Sequence, residues 1–197
     1  MGNTAALLAP FKEELSESGA SCVEINLFRK NIKPCVACRT CQDVLDGFGC
    51  PLGDDMEEVF DAVLASDCLV LSSPIYAWSC TPPLKAVLDR LVYTMNKYYG
   101  RERGGALGKG KHCAFFSTCG YDISYALEPF LEGLRRYCKH SRLHFAGAFA
   151  ARDFGYKTEF ATDSKVAGAR EFARQLTARL AKEGGFADAP LEVFVPE

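Results

Sequence analysis

The sequence predicts an α/β domain built on a mostly parallel sheet, and three observations lead there. Segments of helical and strand periodicity alternate along the chain. Cys68–Leu71 is a nearly continuous apolar run, as expected of a central parallel strand buried on both faces. The 197 residues carry neither an internal repeat nor an interdomain linker, so one hydrophobic core suffices.

Each element follows from its residues. Asn3-Thr4 can cap a helix over Ala5–Ser18, with Ala6, Leu7, Leu8, Phe11 and Leu15 near one face, and Gly19 stops it. Ser21–Leu27 alternates, with Val23, Ile25 and Leu27 on one side, which predicts a short strand. The stretch 31–53 holds four cysteines and no sustained period. Asp54-Asp55 favour a helix start through capping and the macrodipole, and Val59, Phe60, Val63 and Leu64 supply its buried face. After the Cys68–Leu71 strand, Thr81-Pro82-Pro83 opens a helix striped by Leu84, Val87, Leu88 and Leu91. Gly100–Gly110 reads as a flexible, basic surface loop. Lys111–Thr118 is a strand, Ile123–Cys138 a helix, Leu143–Phe149 the last strand and Ser164–Lys182 the last helix. The tail from Gly184 and the aromatic segment Tyr93–Tyr99 are expected to face a partner subunit.

Composition narrows the function. Hydrophobic residues make up 48% and charged residues 24%, with a net charge of −2, so nothing electrostatic points to nucleic acid or an anionic membrane. No apolar run reaches the ~18–20 residues that span a bilayer. The start has no basic n-region or signal core. Ten cysteines without a secretion signal fit a reducing, cytoplasmic setting, where clustered thiols act as ligands or redox groups. His112, His140 and His144 have no nucleophile arranged around them, and no Gly-x-Ser-x-Gly elbow occurs.

Two constellations remain. Cys35-x2-Cys38-x2-Cys41-x8-Cys50 brings four thiols together in sequence. The first three resemble the start of a ferredoxin run, in which thiolates wrap a [4Fe–4S] cluster. A zinc ion or no metal at all are the competing readings. Ser72-Ser73-Pro74-Ile75-Tyr76-Ala77-Trp78 ends an apolar strand in a small, polar, proline-stiffened loop beside aromatic rings. That suits a flat, phosphate-bearing cofactor, although a plain strand-to-helix turn with core aromatics has the same composition. Lys85 and Asp89 are an i,i+4 pair worth a few tenths of a kcal/mol, so they and Arg90 read as structural.

Taken together, Gly2-Asn3-Thr4, Pro34-Cys35-x2-Cys38-x2-Cys41, Asp54-Asp55-Met56, Ser73-Pro74-Ile75-Tyr76, Leu84-Lys85-x3-Asp89-Arg90 and Ser117-Thr118-Cys119-Gly120 resemble the flavodoxin-like NAD(P)H-dependent FMN reductases. The iron–sulfur flavoprotein branch is the nearest. The resemblance implies one flavodoxin-like domain over 1–197, a three-layer doubly wound parallel sheet of order 2-1-3-4-5. Its cysteine-rich loop lies at 31–53. In that family an apolar strand precedes Gly-Asn-Thr, so the first strand is expected to be absent from this chain, as in a truncated reading of a longer one.

The same resemblance implies FMN outside the carboxyl ends of the strands. Asn3 and Thr4 would meet its phosphate at a helix N-terminus. Ser73, Pro74, Ile75, Tyr76, Ala77 and Trp78 would line the ring system. Ser117, Thr118, Cys119, Gly120 and Tyr121 would close its other edge, with Gly120 permitting close approach. Cys35, Cys38, Cys41 and Cys50 would hold a [4Fe–4S] cluster if one is bound. The implied activity moves electrons from NAD(P)H or ferredoxin to a small acceptor such as a quinone, flavin, nitro compound or oxygen, with the chemistry on the flavin and no catalytic side chain. A non-enzymatic flavin and iron–sulfur electron carrier, and a cofactor-free remnant, are the rival expectations. A homodimer or homotetramer is expected.

Overall fold

The computed structural model describes residues 2–155, 159–181 and 193–196. Five helices surround a parallel sheet: α1 (Asn3–Glu17), α2 (Met56–Ala65), β1 (Cys68–Pro74), α3 (Pro82–Thr94), β2 (His112–Cys119), α4 (Ile123–Ser141), β3 (His144–Arg152), α5 (Asp163–Leu180) and β4 (Val193–Phe194). The strands lie in the order β1-β2-β3-β4. This is the flavodoxin-like, three-layer α/β arrangement.

The layers follow from side-chain alternation along β2. Ala114 and Phe116 point to one face, where Leu7, Phe11 and Leu15 of α1 meet Ala169, Phe172, Ala173 and Leu176 of α5. Cys113, Phe115 and Cys119 point to the other, against Leu84 and Leu88 of α3 and Ala126, Leu127, Leu131, Leu134 and Cys138 of α4. Beside them, α2 packs Met56, Val59, Phe60 and Val63 on Val87 and Leu91 of α3, with Phe48 and Met95 sealing the cluster. All seven central residues of β2, Cys113–Cys119, are buried, as befits a strand covered on both faces.

Two expectations are corrected. Residues 21–27 form no strand; only a single 3-10 turn follows, at Leu27–Arg29, and Val23 is 83% exposed. Period-2 alternation needs a ladder partner to become a strand, and none of the described residues pairs with this segment. The tail contributes a strand instead of only an outward-facing surface: Val193 and Phe194 pair in parallel with Ala148 and Phe149. Residues 184–192, the start of that tail, lie outside the described residues. The segment 100–110 lies mostly at the surface, as expected, and folds back on 95–97, with Lys97 N donating to Gly105 O, Gly104 N to Lys97 O and Leu107 N to Met95 O. Glycine makes this close approach feasible, since a Cβ on Gly100 would sit 2.3 Å from the Gln42 carbonyl oxygen.

Candidate functional site

The carboxyl ends of β1 and β2 and the first turn of α1 converge. Thr4 and Thr118 share a hydroxyl–hydroxyl hydrogen bond of 2.6 Å, and Ile75 N donates to Thr118 O at 2.9 Å. The Ser117 hydroxyl donates to Ser73 O at 2.9 Å, and the Ser73 hydroxyl accepts from Thr81 N at 3.0 Å. Both serines are buried, and their hydroxyls brace the strand ends. No side chain caps α1. Its first amides therefore keep the free N–H groups that attract an anion.

Beyond β1 the chain turns sharply. Tyr76 and Ser79 exchange two backbone hydrogen bonds, 2.9 and 3.0 Å, around Ala77 and Trp78 at φ +47° and +57°. Two consecutive left-handed residues form the tight primed turn that Asn-Gly usually fills. A bulky tryptophan there is strained by about 1–2 kcal/mol. The turn carries Trp78 parallel to Tyr121, with ring centroids 6.2 Å apart and planes 3° apart, while Tyr125 meets Trp78 edge-on at 5.7 Å. Tyr76, Trp78, Tyr121 and Tyr125 are all exposed. Behind them Cys119 is buried, and its thiol donates to Tyr121 O at 3.5 Å. Burial pushes that thiol's pKa up, against a smaller pull from Arg152.

Sequence reasoning missed Tyr125, Arg152 and Asp153. Tyr125 sits in the first turn of α4 and no motif marks it. Asp153 accepts from Asn3 Nδ2 at 2.8 Å, a contact 150 residues apart along the chain with no local signature. Arg152 lies over the Phe154 ring at 5.0 Å.

The four loop cysteines border one cavity. Cys35, Cys38, Cys41 and Cys50 line this small cavity of about 20 Å³ with Arg90, Tyr93 and Thr94. Left-handed Ala37 and Arg39, at φ +54° and +63°, bend the chain around it. Gln42 is buried and ties the loop to the C-terminal end of α3, donating to Asn96 O at 2.9 Å and accepting from Tyr99 N at 2.9 Å. Arg90 is buried as well: Nη1 donates to Asp54 Oδ2 at 2.5 Å and Nη2 to Cys50 Sγ at 3.2 Å. Buried Lys97 donates to Cys41 O at 2.9 Å and Gly47 O at 2.7 Å. The segment Tyr93–Tyr99, expected at a subunit surface, thus spends its middle residues clamping this loop. By contrast Lys85 and Asp89 form the anticipated exposed i,i+4 pair.

Residues 1–138 match the family described as NADPH-dependent FMN reductase. The chain belongs to that family. An iron–sulfur flavoprotein of Methanocaldococcus jannaschii is 32% identical over 89 residues, 45% of this chain and 45% of that protein. One of Methanosarcina thermophila is 28% identical over 110 residues, 55% and 56% of the two chains. The chain spans about half the length of the curated relatives it matches. Among solved structures, an NAD(P)H:quinone oxidoreductase from Methanothermobacter marburgensis shares the fold, with a TM-score of 0.68 at 19% identity, covering 90% of this chain and 91% of that one.

As an FMN reductase family member, the chain can be tested for fit to the cofactors that family implies. For FMN the fit is good: α1 is uncapped, and a Cβ added to Gly120 would meet nothing within 4 Å, which leaves open space beside the aromatic group. For a metal, no three His, Cys, Asp or Glu side chains among the described residues converge as they would on one ion. The four cysteines match the family's iron–sulfur cysteines in residue type, but among the described residues they border only a small cavity and do not surround a space the size of a four-iron cube. Among the described residues, Arg90 Nε is buried there without a hydrogen-bond partner.

Proposed function

We propose that this protein is an FMN-dependent oxidoreductase that takes electrons from NAD(P)H or ferredoxin and passes them to a small acceptor, such as a quinone, a free flavin, a nitro compound or oxygen. One observation carries the reading. The uncapped first turn of α1 is joined to the carboxyl end of β2 by the 2.6 Å Thr4–Thr118 hydrogen bond, within the same corner as the Trp78–Tyr121–Tyr125 aromatic group.

The bound flavin would supply hydride and single-electron chemistry; the chain binds and orients it. Asn3 and Thr4 would offer amides to its phosphate. The backbone of Pro74–Ala77 and of Thr118–Gly120 would border the ring, with Ser73 and Ser117 holding those two strand ends in register. Trp78 and Tyr121 would flank it, and Cys119 would stay a neutral thiol behind it. Exposed Tyr76, Trp78, Tyr121 and Tyr125 support a homodimer or homotetramer in which a second subunit covers the ring, because such rings lose apolar exposure on contact.

The spacing of the four loop cysteines favours a second reading, an electron carrier that holds a [4Fe–4S] cluster on Cys35, Cys38, Cys41 and Cys50 and turns over NAD(P)H negligibly. Stopped-flow reduction of FMN-loaded protein separates the two. Reduction by NADPH or NADH faster than by reduced ferredoxin supports the reductase; the reverse supports the carrier. Protein that stays colourless after anaerobic incubation with FMN overturns both and leaves a cofactor-free remnant.

A further inference from the structure

We propose that a cavity beyond the carboxyl end of β3 is a second ligand site, and that its ligand is an aromatic acid, a flat apolar ring bearing one negative group. The cavity measures about 770 Å³, within the ~300–1,000 Å³ of small-molecule clefts. Leu127 and Leu131 of α4 and Val193 of β4 give it an apolar wall. Arg152, the last residue of β3, lines it too, with Phe154 just beyond and Lys165 from the first turn of α5. The cavity shares no lining residue with the proposed FMN site, so the inference stands whether or not FMN is bound. Arg152 does reach across to that site, its Nε donating to Gly120 O at 3.4 Å.

The arrangement of charge favours an anion. The Arg152 guanidinium lies over the Phe154 ring at 5.0 Å, and the Lys165 ammonium lies over the same ring at 5.6 Å and over Phe160 at 4.4 Å. Two cations are thus gathered on one phenyl ring that is itself 66% exposed. Among the described residues neither cation is in an ion pair with a carboxylate. The nearby acids are tied elsewhere. Asp153 acts on Lys165 through its charge, but it accepts from Asn3 Nδ2 and Gly155 N. Asp122 feels Arg152, yet it accepts from the amide and hydroxyl of Ser124. Glu128, on the cavity wall, pairs with Arg135. Glu159 also lines the cavity and is exposed; its charge opposes an anion there. Burial already pulls the Lys165 pKa down, against a smaller lift from Asp153, so a negative group at Phe154 restores what the ammonium has lost. The apolar wall and the open face of Phe154 ask for a ring. Charge and shape together describe an aromatic acid.

The test is isothermal titration calorimetry of the natural protein, with and without added FMN. Cinnamate is the probe, and uncharged cinnamamide is its isostere. The expected result is sub-millimolar binding of cinnamate, about tenfold tighter than that of cinnamamide, with FMN leaving both affinities unchanged. Arg152→Gln and Lys165→Gln should each weaken cinnamate about fivefold and leave cinnamamide as it was, which also shows that the variants are folded. Glu159→Gln, a surface change, should tighten cinnamate by about twofold. Absence of cinnamate binding overturns the proposal, and so do equal affinities for acid and amide. A cinnamate affinity that none of the three substitutions moves overturns it as well. Displacement of cinnamate by FMN would put the ring in the flavin corner, and tighter binding of adenosine monophosphate than of cinnamate would give the cavity to a nucleotide; either result also sinks it.

Discussion

Arg90 Nη1 donates to Asp54 Oδ2 at 2.5 Å, and both side chains are shielded from solvent. This pair joins α3 to the start of α2 and closes the base of the cysteine loop, since Asp54 Oδ2 also accepts from Lys33 N at 2.8 Å. Removing one partner leaves a buried charge uncompensated. Arg90→Met is expected to cost about 3–5 kcal/mol in urea unfolding of the FMN-free protein. A loss within the scatter of surface substitutions would contradict the structural role.

The same carboxylate sets an acid limit. Burial pushes the Asp54 pKa up, but hydrogen bonds from Arg90, Lys33 N and Met56 N outweigh it, and the carboxyl ends below its usual range. A depressed folded value contributes stability above the unfolded pKa of about 3.9, and that contribution is lost as pH falls through the folded value. Unfolding free energy followed downward from pH 6 should therefore fall below about pH 4, and less steeply in Asp54→Asn than in the natural chain. Parallel curves for the two proteins would sink the assignment.

Trp78 is the single tryptophan of the chain and stands at the proposed ring site beside Tyr121. Its emission reports that corner alone. FMN should quench most of it with a saturating profile matching flavin absorbance. Trp78→Phe should retain binding, weakened by about 0.5–1.5 kcal/mol for the altered stacking. Full FMN binding without quenching would move the ring elsewhere.

Thiol reactivity tests the loop in the FMN-free, iron-free protein. Cys38 is exposed, and hydrogen bonds from the Thr40 hydroxyl and amide lower its pKa. The other exposed thiol, Cys22, is pushed up by burial, against a smaller pull from Lys12. Because the thiolate is the nucleophile, mass spectrometry after brief iodoacetamide treatment at pH 7.5 should find Cys38 modified first, ahead of Cys22 by several-fold. Equal labelling, or Cys22 first, would overturn the local electrostatics.

The helices and the three long strands were legible because their signals are local. Periodicity marked the Leu7–Phe11–Leu15 and Leu84–Val87–Leu88–Leu91 faces, and the doubly buried run marked β1. Ser21–Leu27 misled because alternation describes a face, while a strand is made by its neighbour. Val193–Phe194 is too short for any periodic signal. Of the expected residues, Thr4 meets Thr118 and Trp78 meets Tyr121, while Asn3 is tied to Asp153. What stayed hidden is what depends on tertiary approach: Asp153 reaching Asn3, Tyr125 completing the aromatic group, and Lys97 buried behind Cys41. Arg90 shows the limit well. Reading along α3 finds Lys85–Asp89, a true but exposed pair, whereas Arg90, one position on, faces inward to a carboxylate 36 residues away.

The central claim is that the α1 N-terminus and the ends of β1 and β2 together hold FMN. Anaerobic titration of the natural protein and of Thr4→Val with FMN, read by flavin absorbance and fluorescence, tests it most directly. The account predicts stoichiometric micromolar binding, weakened about fivefold to tenfold in Thr4→Val through loss of one hydrogen-bonding hydroxyl worth about 1 kcal/mol. Folded natural protein that leaves FMN free at that concentration would contradict it.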